Sequence, residues 1–392
     1  MSDAIVIAAA QRTPIGAFLG QFTGVPTPTL GAVAIRAALA QAGLQGTDIS
    51  EVFMGCVLPA NLGQAPARQA SLGAGIPVAA GCTTINKVCG SGMKTIMLGH
   101  DLIKAGSADI VVAGGMESMS NAPHMLTARS GIRYGNRELV DHMAWDGLTN
   151  PYDGKAMGLF GELCADKYNF TREAQDAFSI TSVERALAAQ QDGSFKNEIV
   201  PVTVQTRKGE IQYSQDEQPG RSDTSKIPKL RPAFRKENGT ITAASASSIS
   251  DGAAALILIR ESDAKARGLQ PLARIVAHTT HSQEPEWFTT APIGAIRKLL
   301  DKTGWSVADI DLFEINEAFA IVAMVAMREL AIPHDKVNVH GGACALGHPI
   351  GASGARIVVT LLHAMRQRGA KKGLAALCIG GGEATALALE CP

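Results

Sequence analysis

Asn86-Lys87-Val88-Cys89-Gly90-Ser91-Gly92-Met93-Lys94 decides how the rest of this chain is read. A cysteine stands directly before Gly-Ser-Gly, and Met93, Ile96, Met97, Leu102 and Ile103 follow at helical spacing. The run stops at Ala105-Gly106, a glycine helix end. Residues 108–115 then form a short apolar, β-branched run of the buried-strand type. Cys89 is therefore expected on a loop that opens a helix packed on a central sheet. Free amides at a helix start favour an anion, and a thiolate is one. The flanking glycines would let another molecule's backbone or thioester come close. Taken alone, the stretch is equally readable as a buried, inert cysteine.

Outward from this point the chain alternates strands and helices. Residues 4–10 read as a buried strand, 11–16 as a turn, 30–42 as a helix closed by Gly43, and 52–57 as a second strand. From about residue 118 to 250 polarity rises and β-branched runs shorten, with a helix expected over 174–190 and a strand over 199–204. This region reads as an insertion that covers the site. Core texture returns at 251–259, and a strand at 273–278 starts a second half. The expected division is residues 1–118 with 250–270, the covering segment 119–249, and 271–392.

The second half echoes the first. Leu39, Gly43, Asp48-Ile49 and the strand at 52–53 recur as Leu300, Gly304, Asp309-Ile310 and a strand at 312–313. Ser91-Gly92, Gly106 and Gly114-Gly115 recur as Ser353-Gly354, Gly369 and Gly380-Gly381. If equivalent faces pack together, Cys89 meets the loop Gly347-His348-Pro349-Ile350-Gly351. The strand end Leu377-Cys378-Ile379-Gly380 reaches the same face.

A thiol nucleophile needs a base to take its proton and dipoles to hold the oxyanion formed on attack. His348 can supply the first, and amides at Cys89 and Gly380 the second. Cys378 is a further acid/base group; a thiol pKa of about 8.5 suits proton transfer to carbon near neutrality. Asn316 would orient a water or His348, or cap a helix expected over 317–327. Cys344 reads as a small core residue and His340 as a loop histidine bonded to backbone. No Cys/His/Asp spacing resembles a metal site, and no dinucleotide or phosphate-loop glycine motif appears in context.

Composition narrows the classes. Lys+Arg 36 balances Asp+Glu 36, so no basic field favours nucleic acid. No apolar run is long enough to span a membrane. The start runs straight into a strand, and seven cysteines without a secretory leader suggest free thiols in the cytoplasm. Residues 221–236 carry six basic side chains against Asp223, either a solvated loop or a docking surface for a phosphorylated ligand.

Together, 86–94, Asn316-Glu317-Ala318-Phe319, 341–354 and 377–382 resemble the thiolase family, along nearly the whole chain. The resemblance implies an α/β, five-layered αβαβα core of two related halves, with an inserted loop domain that binds coenzyme A. It implies acetyl-CoA, acetoacetyl-CoA and CoA as ligands, no separate cofactor, and a homo-oligomer, a homotetramer or a dimer, with the homotetramer favoured. By resemblance, Cys89 takes the acyl group, His348 activates it, Cys378 moves the α-proton, and Asn316 holds a water in one oxyanion hole. The amides of Cys89 and Gly380 form the other hole. Ser247 corresponds to a pantetheine contact, Met157, Phe288 and Phe319 to pocket walls, Ala243 and Ala318 to substrate contacts, and Arg221 to the coenzyme phosphate region. Ala156, Phe288, Ser245 and His340 depart from the common pattern and bear on the acyl pocket. The activity implied is condensation of two acetyl-CoA to acetoacetyl-CoA. The alternatives are degradative thiolysis of longer 3-ketoacyl-CoAs, a non-catalytic CoA- or lipid-binding protein, and a thiol redox sensor.

Overall fold

The structure is a computed structural model and describes residues 3–207 and 209–392. The first half runs β1 (Ile5–Arg12), a two-residue β2 (Gly16–Ala17), α1 (Thr27–Ala42), β3 (Glu51–Gly55), α2 (Pro66–Gly73), β4 (Gly81–Ile85), α3 (Ser91–Lys104) and β5 (Ile110–Ser118). The intervening segment holds β6 (His124–Met125), β7 (Val140–Asp141), α4 (Met157–Tyr168), α5 (Arg172–Gln191), β8 (Val202–Thr206), β9 (Gly209–Tyr213) and α6 (Glu217–Arg221). Then come β10 (Ser250–Arg260), α7 (Glu261–Ala266), β11 (Ala273–Ser282), α8 (Ala291–Thr303), β12 (Leu312–Ile315) and α9 (Ala320–Leu330). The chain closes with α10 (Ala343–Leu346), α11 (Ile350–Arg368), β13 (Lys372–Ile379) and β14 (Glu383–Glu390).

The main sheet has the order β12-β13-β14-β11-β1-β10-β5-β3-β4. Its two halves repeat one pattern. In the first, β3 lies parallel to β4 and β5, and β10 runs antiparallel between β5 and β1. In the second, β12 lies parallel to β13, and β14 runs antiparallel between β13 and β11. Even β4 has a counterpart, a parallel bridge from Phe313 to Val337. The halves join where β1 meets β11, over two residue pairs only, Val6–Arg274 and Ile7–Ala273.

Period-two side chains make this sheet two-faced. Val111 and Ala113 of β5 face a central layer with Met93 and Ile96 of α3 and Ile357 and Leu361 of α11. Ile110 and Val112 face the opposite way, onto Leu30, Ile35 and Leu39 of α1. In the second half, Ala375 and Leu377 share the central layer, while Leu374 and Ala376 face α8 and α9. Helices therefore lie outside, between and outside the sheets, in five layers.

The echo is visible residue by residue. α1 and α8 both end on left-handed glycines, Gly43 (φ 67°) and Gly304 (φ 69°). Each is followed by a short 3₁₀ turn with a reciprocal capping box, on Asp48 and on Asp309. The strand expected over 52–57 stops at Gly55, because the amides of Val57 and Leu58 turn to the Glu117 carboxylate, at 2.9 and 3.2 Å. The helix expected from 317 begins at Ala320, because Phe319 stays extended and bridges Ala246.

Candidate active site

The chemistry-bearing residues stand at the carboxyl ends of parallel strands. Cys89 lies between β4 and α3, Asn316 directly after β12, and Cys378 and Gly380 at the end of β13. His348 lies between α10 and α11. The glycines around Cys89 serve a purpose other than ligand approach. A Cβ on Gly92 would lie 2.7 Å from the Ala355 amide nitrogen, and one on Gly354 only 2.3 Å from that of Met93. The starts of α3 and α11 therefore touch backbone to backbone, which brings the Cys89 and His348 loops together. Gly90 likewise leaves space for the Ile379 side chain, whose Cδ1 would lie 2.3 Å from an added Cβ.

Val88, the residue before Cys89, adopts φ 45°. A β-branched residue in that region is strained. The strain is held by an Asn86 side chain accepting from the Val88 N–H at 2.9 Å and by Ser91, whose hydroxyl donates to the Val88 carbonyl at 2.6 Å.

The helix-start argument for a thiolate is corrected. The Gly90 and Ser91 amides donate to the carbonyls of Lys87 and Val88, both at 3.0 Å. Burial pushes the Cys89 thiol up to about 11, against the amides of Gly380 and Cys89 itself, which donate to the sulfur. Cys378 is raised well above the ordinary thiol range, first by burial and then by the nearby Cys89 charge. Burial drives His348 down to about 3, aided by the Arg356 charge, so its imidazole is neutral. His348 Nδ1 lies 2.5 Å from the Ser353 hydroxyl, which bonds the Pro349 carbonyl at 3.0 Å. That network assigns the proton to Nδ1 and leaves Nε2 as the free lone pair. Nε2 lies 3.5 Å from the Asn316 amide nitrogen, and the Asn316 oxygen accepts from Arg356 at 3.4 Å. Asn316 is not a helix cap; α9 is capped at Phe319.

Cys89, His348 and Gly380 line one cavity of about 350 Å³. Its walls include Met157, Ser247, Phe288, Ala318 and Phe319, together with Phe234 and Met119. An edge-to-face chain of rings, Phe160–Phe288–Phe319–Phe234, closes one side with centroids 5.9–6.5 Å apart. The Ser247 hydroxyl donates to the Ala318 carbonyl at 2.9 Å. Four expected site residues lie outside the lining: Cys378 and Asn316, both buried, and two expected ligand contacts. Ala243 is exposed at the start of the turn that leads to Ser247. Arg221 is exposed on α6 and pairs with Glu217 one turn earlier, and α6 packs on α5, α10 and β2, away from the cavity. The basic segment is partly neutralised in the same way: Arg235 meets Asp166 and Lys226 meets Asp223.

Four residues that sequence reading did not single out hold the site. Ser353 and Arg356 contact His348 and Asn316 directly. Glu314 faces Arg356 at 3.5 Å, both buried. Glu117, pushed up to about 7 by burial, accepts from Val57, Leu58 and Gly351 and so ties β5 to the start of α11. Ser353 stood inside a quoted motif, but only pairing across the fold reveals what it does. Cys344 is buried, its thiol directed to the carbonyls of Ser245 and Glu317. All seven cysteines are free thiols. No metal-ligand spacing was read from the sequence; the fold brings His278 against the adjacent pair His100 and Asp101, outside the cavity lining.

Among the described residues, no helix is long and apolar enough to cross a membrane. Two family models match, "Thiolase, N-terminal domain" over residues 5–262 and "Thiolase, C-terminal domain" over 269–391. The chain is 52% identical to an acetyl-CoA acetyltransferase of Chromobacterium violaceum over 391 residues, 99% of this chain and 100% of that protein. It is 50% identical to acetyl-CoA acetyltransferase 1 of Arabidopsis thaliana, over 99% of this chain and 94% of the relative. A crystal structure of the Acat5 thiolase from Ascaris suum in complex with coenzyme A superposes with a TM-score of 0.94. It shares 43% identity and covers 99% of this chain and 100% of its own.

Proposed function

The chain belongs to the thiolase family, and from that premise we propose that it condenses two acetyl-CoA to acetoacetyl-CoA and CoA, reversibly, through an acetyl-cysteine at Cys89. The observation that carries this reading is a gathering of unlike groups: a thiol bonded by two amides and a neutral imidazole line one cavity, and a second, fully buried thiol close enough to feel the charge of the first stands behind it.

In the first half-reaction the Cys89 sulfur attacks the acetyl carbonyl carbon and its proton passes to His348 Nε2. The amides of Cys89 and Gly380 already point at the sulfur, so the new oxyanion forms beside two donors. Collapse breaks the bond to CoA sulfur, which leaves with the proton from His348. In the second, Cys378, which rests as a thiol and first loses its proton to solvent, takes an α-proton from another acetyl-CoA. The resulting carbanion attacks the acetyl-Cys89 carbonyl and expels the Cys89 thiolate. Proton transfer from Cys378 to Cys89, with a proton returned to Cys378 from solvent, resets the pair. Mutual repulsion lets only one of the two sulfurs be charged at a time. Asn316, held by Arg356, is read as orienting the water that donates to the second thioester oxygen.

Segment 119–249 is read as the cover of the site, since Met119, Leu148, Met157, Phe234 and Ser247 all line the cavity. In place of Arg221, exposed Arg231 and Lys236, on either side of Phe234, are the better candidates for the coenzyme phosphates. A tetramer is supported by the apolar side chains that project from the cover, Leu126, Ile132, Tyr134 and Leu139. Thiolysis of 3-ketoacyl-CoAs of rising length, run beside acetyl-CoA condensation, tests the function. Acetoacetyl-CoA should be the best substrate, because the ring chain closes one side of the cavity against a long acyl tail. Equal specificity constants for four- and eight-carbon substrates would instead support degradative thiolysis.

A further inference from the structure

Three side chains that this chemistry does not use converge at the other end of α3 from Cys89. His100 and Asp101 stand near the end of that helix, and His278 on β11 faces them. His100 Nδ1 lies 2.9 Å from Asp101 Oδ1, and His278 Nε2 lies 3.0 Å from the same oxygen. The two ring nitrogens are 3.2 Å apart, with the rings edge to face at 86°. The imidazoles are largely covered, while Asp101 is open to solvent.

Each of these ring nitrogens offers a lone pair to the cluster when its ring carries the hydrogen on the other nitrogen, and Asp101 offers a carboxylate oxygen. Zinc-class ions bind imidazole nitrogen and carboxylate oxygen at 2.0–2.2 Å, which sets neighbouring ligand atoms roughly 3.0–3.4 Å apart in tetrahedral or octahedral geometry. The separations here, 2.9 to 3.2 Å, are those of one face of such a polyhedron without rearrangement. The last turn of α3 adds the negative end of its dipole. Opposing this, Lys302 stands nearby and donates to the His278 carbonyl at 3.2 Å.

We propose that His100, Asp101 and His278 bind one divalent transition-metal ion of the zinc class, with water completing its coordination. Two imidazoles and a carboxylate suit zinc, cobalt or nickel better than magnesium or calcium. The ion would clamp α3 of the first half to β11 of the second, beside a sheet joint only two residue pairs long. The proposal stands apart from the family reading.

The test titrates the intact protein with Co²⁺, whose visible absorption reports its ligands, and repeats the melt with Zn²⁺. We expect about one equivalent per chain, ligand-field bands without sulfur charge transfer, and a Zn²⁺-dependent rise in Tm of several degrees. His278→Gln should weaken binding at least about tenfold and abolish the Tm rise, while its metal-free turnover stays at the wild-type level. Asp101→Asn, at an exposed position, should weaken binding even if the first variant folds poorly. Sulfur charge-transfer bands, binding unchanged in both variants, or no Zn²⁺-dependent Tm rise would each overturn the proposal.

Discussion

At the scale of single residues, the active groups are set by burial against hydrogen bonding, and burial wins at both thiols. Cys89 lies near pKa 11 and His348 near 3, so the resting pair is thiol and imidazole, not an ion pair. The sign follows directly. A raised thiol pKa makes the thiolate scarce at neutral pH and more abundant as pH rises. Alkylation of Cys89 by iodoacetamide should therefore climb about tenfold per pH unit from about 6 to 9, without a plateau. Peptide mapping across pH checks this; a plateau below about pH 7 would mean an ion pair. His348 protonation should not limit the rate until far below pH 5. Ser353→Ala should free the His348 tautomer and lower kcat more than it raises KM, read from steady-state kinetics with acetoacetyl-CoA. Cys89, His348, Cys378 and Asn316 could be picked out as candidates because they stand in motifs. The direction of the Cys89 shift was not legible, because the helix-start amides are already bonded to Lys87 and Val88 and the burial comes from segments distant in sequence, among them Val57, Met119, Met143 and Ile350.

At the scale of elements, α3 and α11 cross at glycines and place the two catalytic loops. Gly354→Ala would set a Cβ 2.3 Å from backbone nitrogen, which no rotamer change relieves. We expect a loss of stability of about 1–3 kcal/mol or more, measured by denaturant melts, together with reduced activity, since both loops shift. Glu117→Gln should cost about 1–3 kcal/mol, because its added NH₂ would meet backbone donors that the carboxylate now accepts. The elements themselves were largely legible. Gly43 and Gly304 mark matching helix ends, and Asp48 and Asp309 matching caps. Element boundaries near the site were not, since Gly55 and Ala320 are limits imposed by distant partners, Glu117 and Ala246.

At the scale of the whole molecule, segment 119–249 is tied to β1 by a buried ionic cluster that sequence reading did not see. Arg12 of β1 meets Glu198 at 2.5 Å and Asp216 at 2.7 and 2.9 Å, all three without solvent exposure. Arg12→Met would strand two buried carboxylates and should cost about 3–5 kcal/mol, read from denaturant unfolding. The partners lie about two hundred residues from Arg12, which is why spacing could not reveal them. The same large-scale design brings a thiol from each half to one centre, and that division of labour is the central claim. Its most direct test is mass spectrometry of wild-type, Cys89→Ala and Cys378→Ala proteins after exposure to acetyl-CoA. The account predicts one acetyl group on Cys89 in the Cys378→Ala variant, with neither condensation nor exchange of the α-proton, and no acetylation of the Cys89→Ala variant. An acetyl group on Cys378 in the Cys89→Ala variant would contradict it.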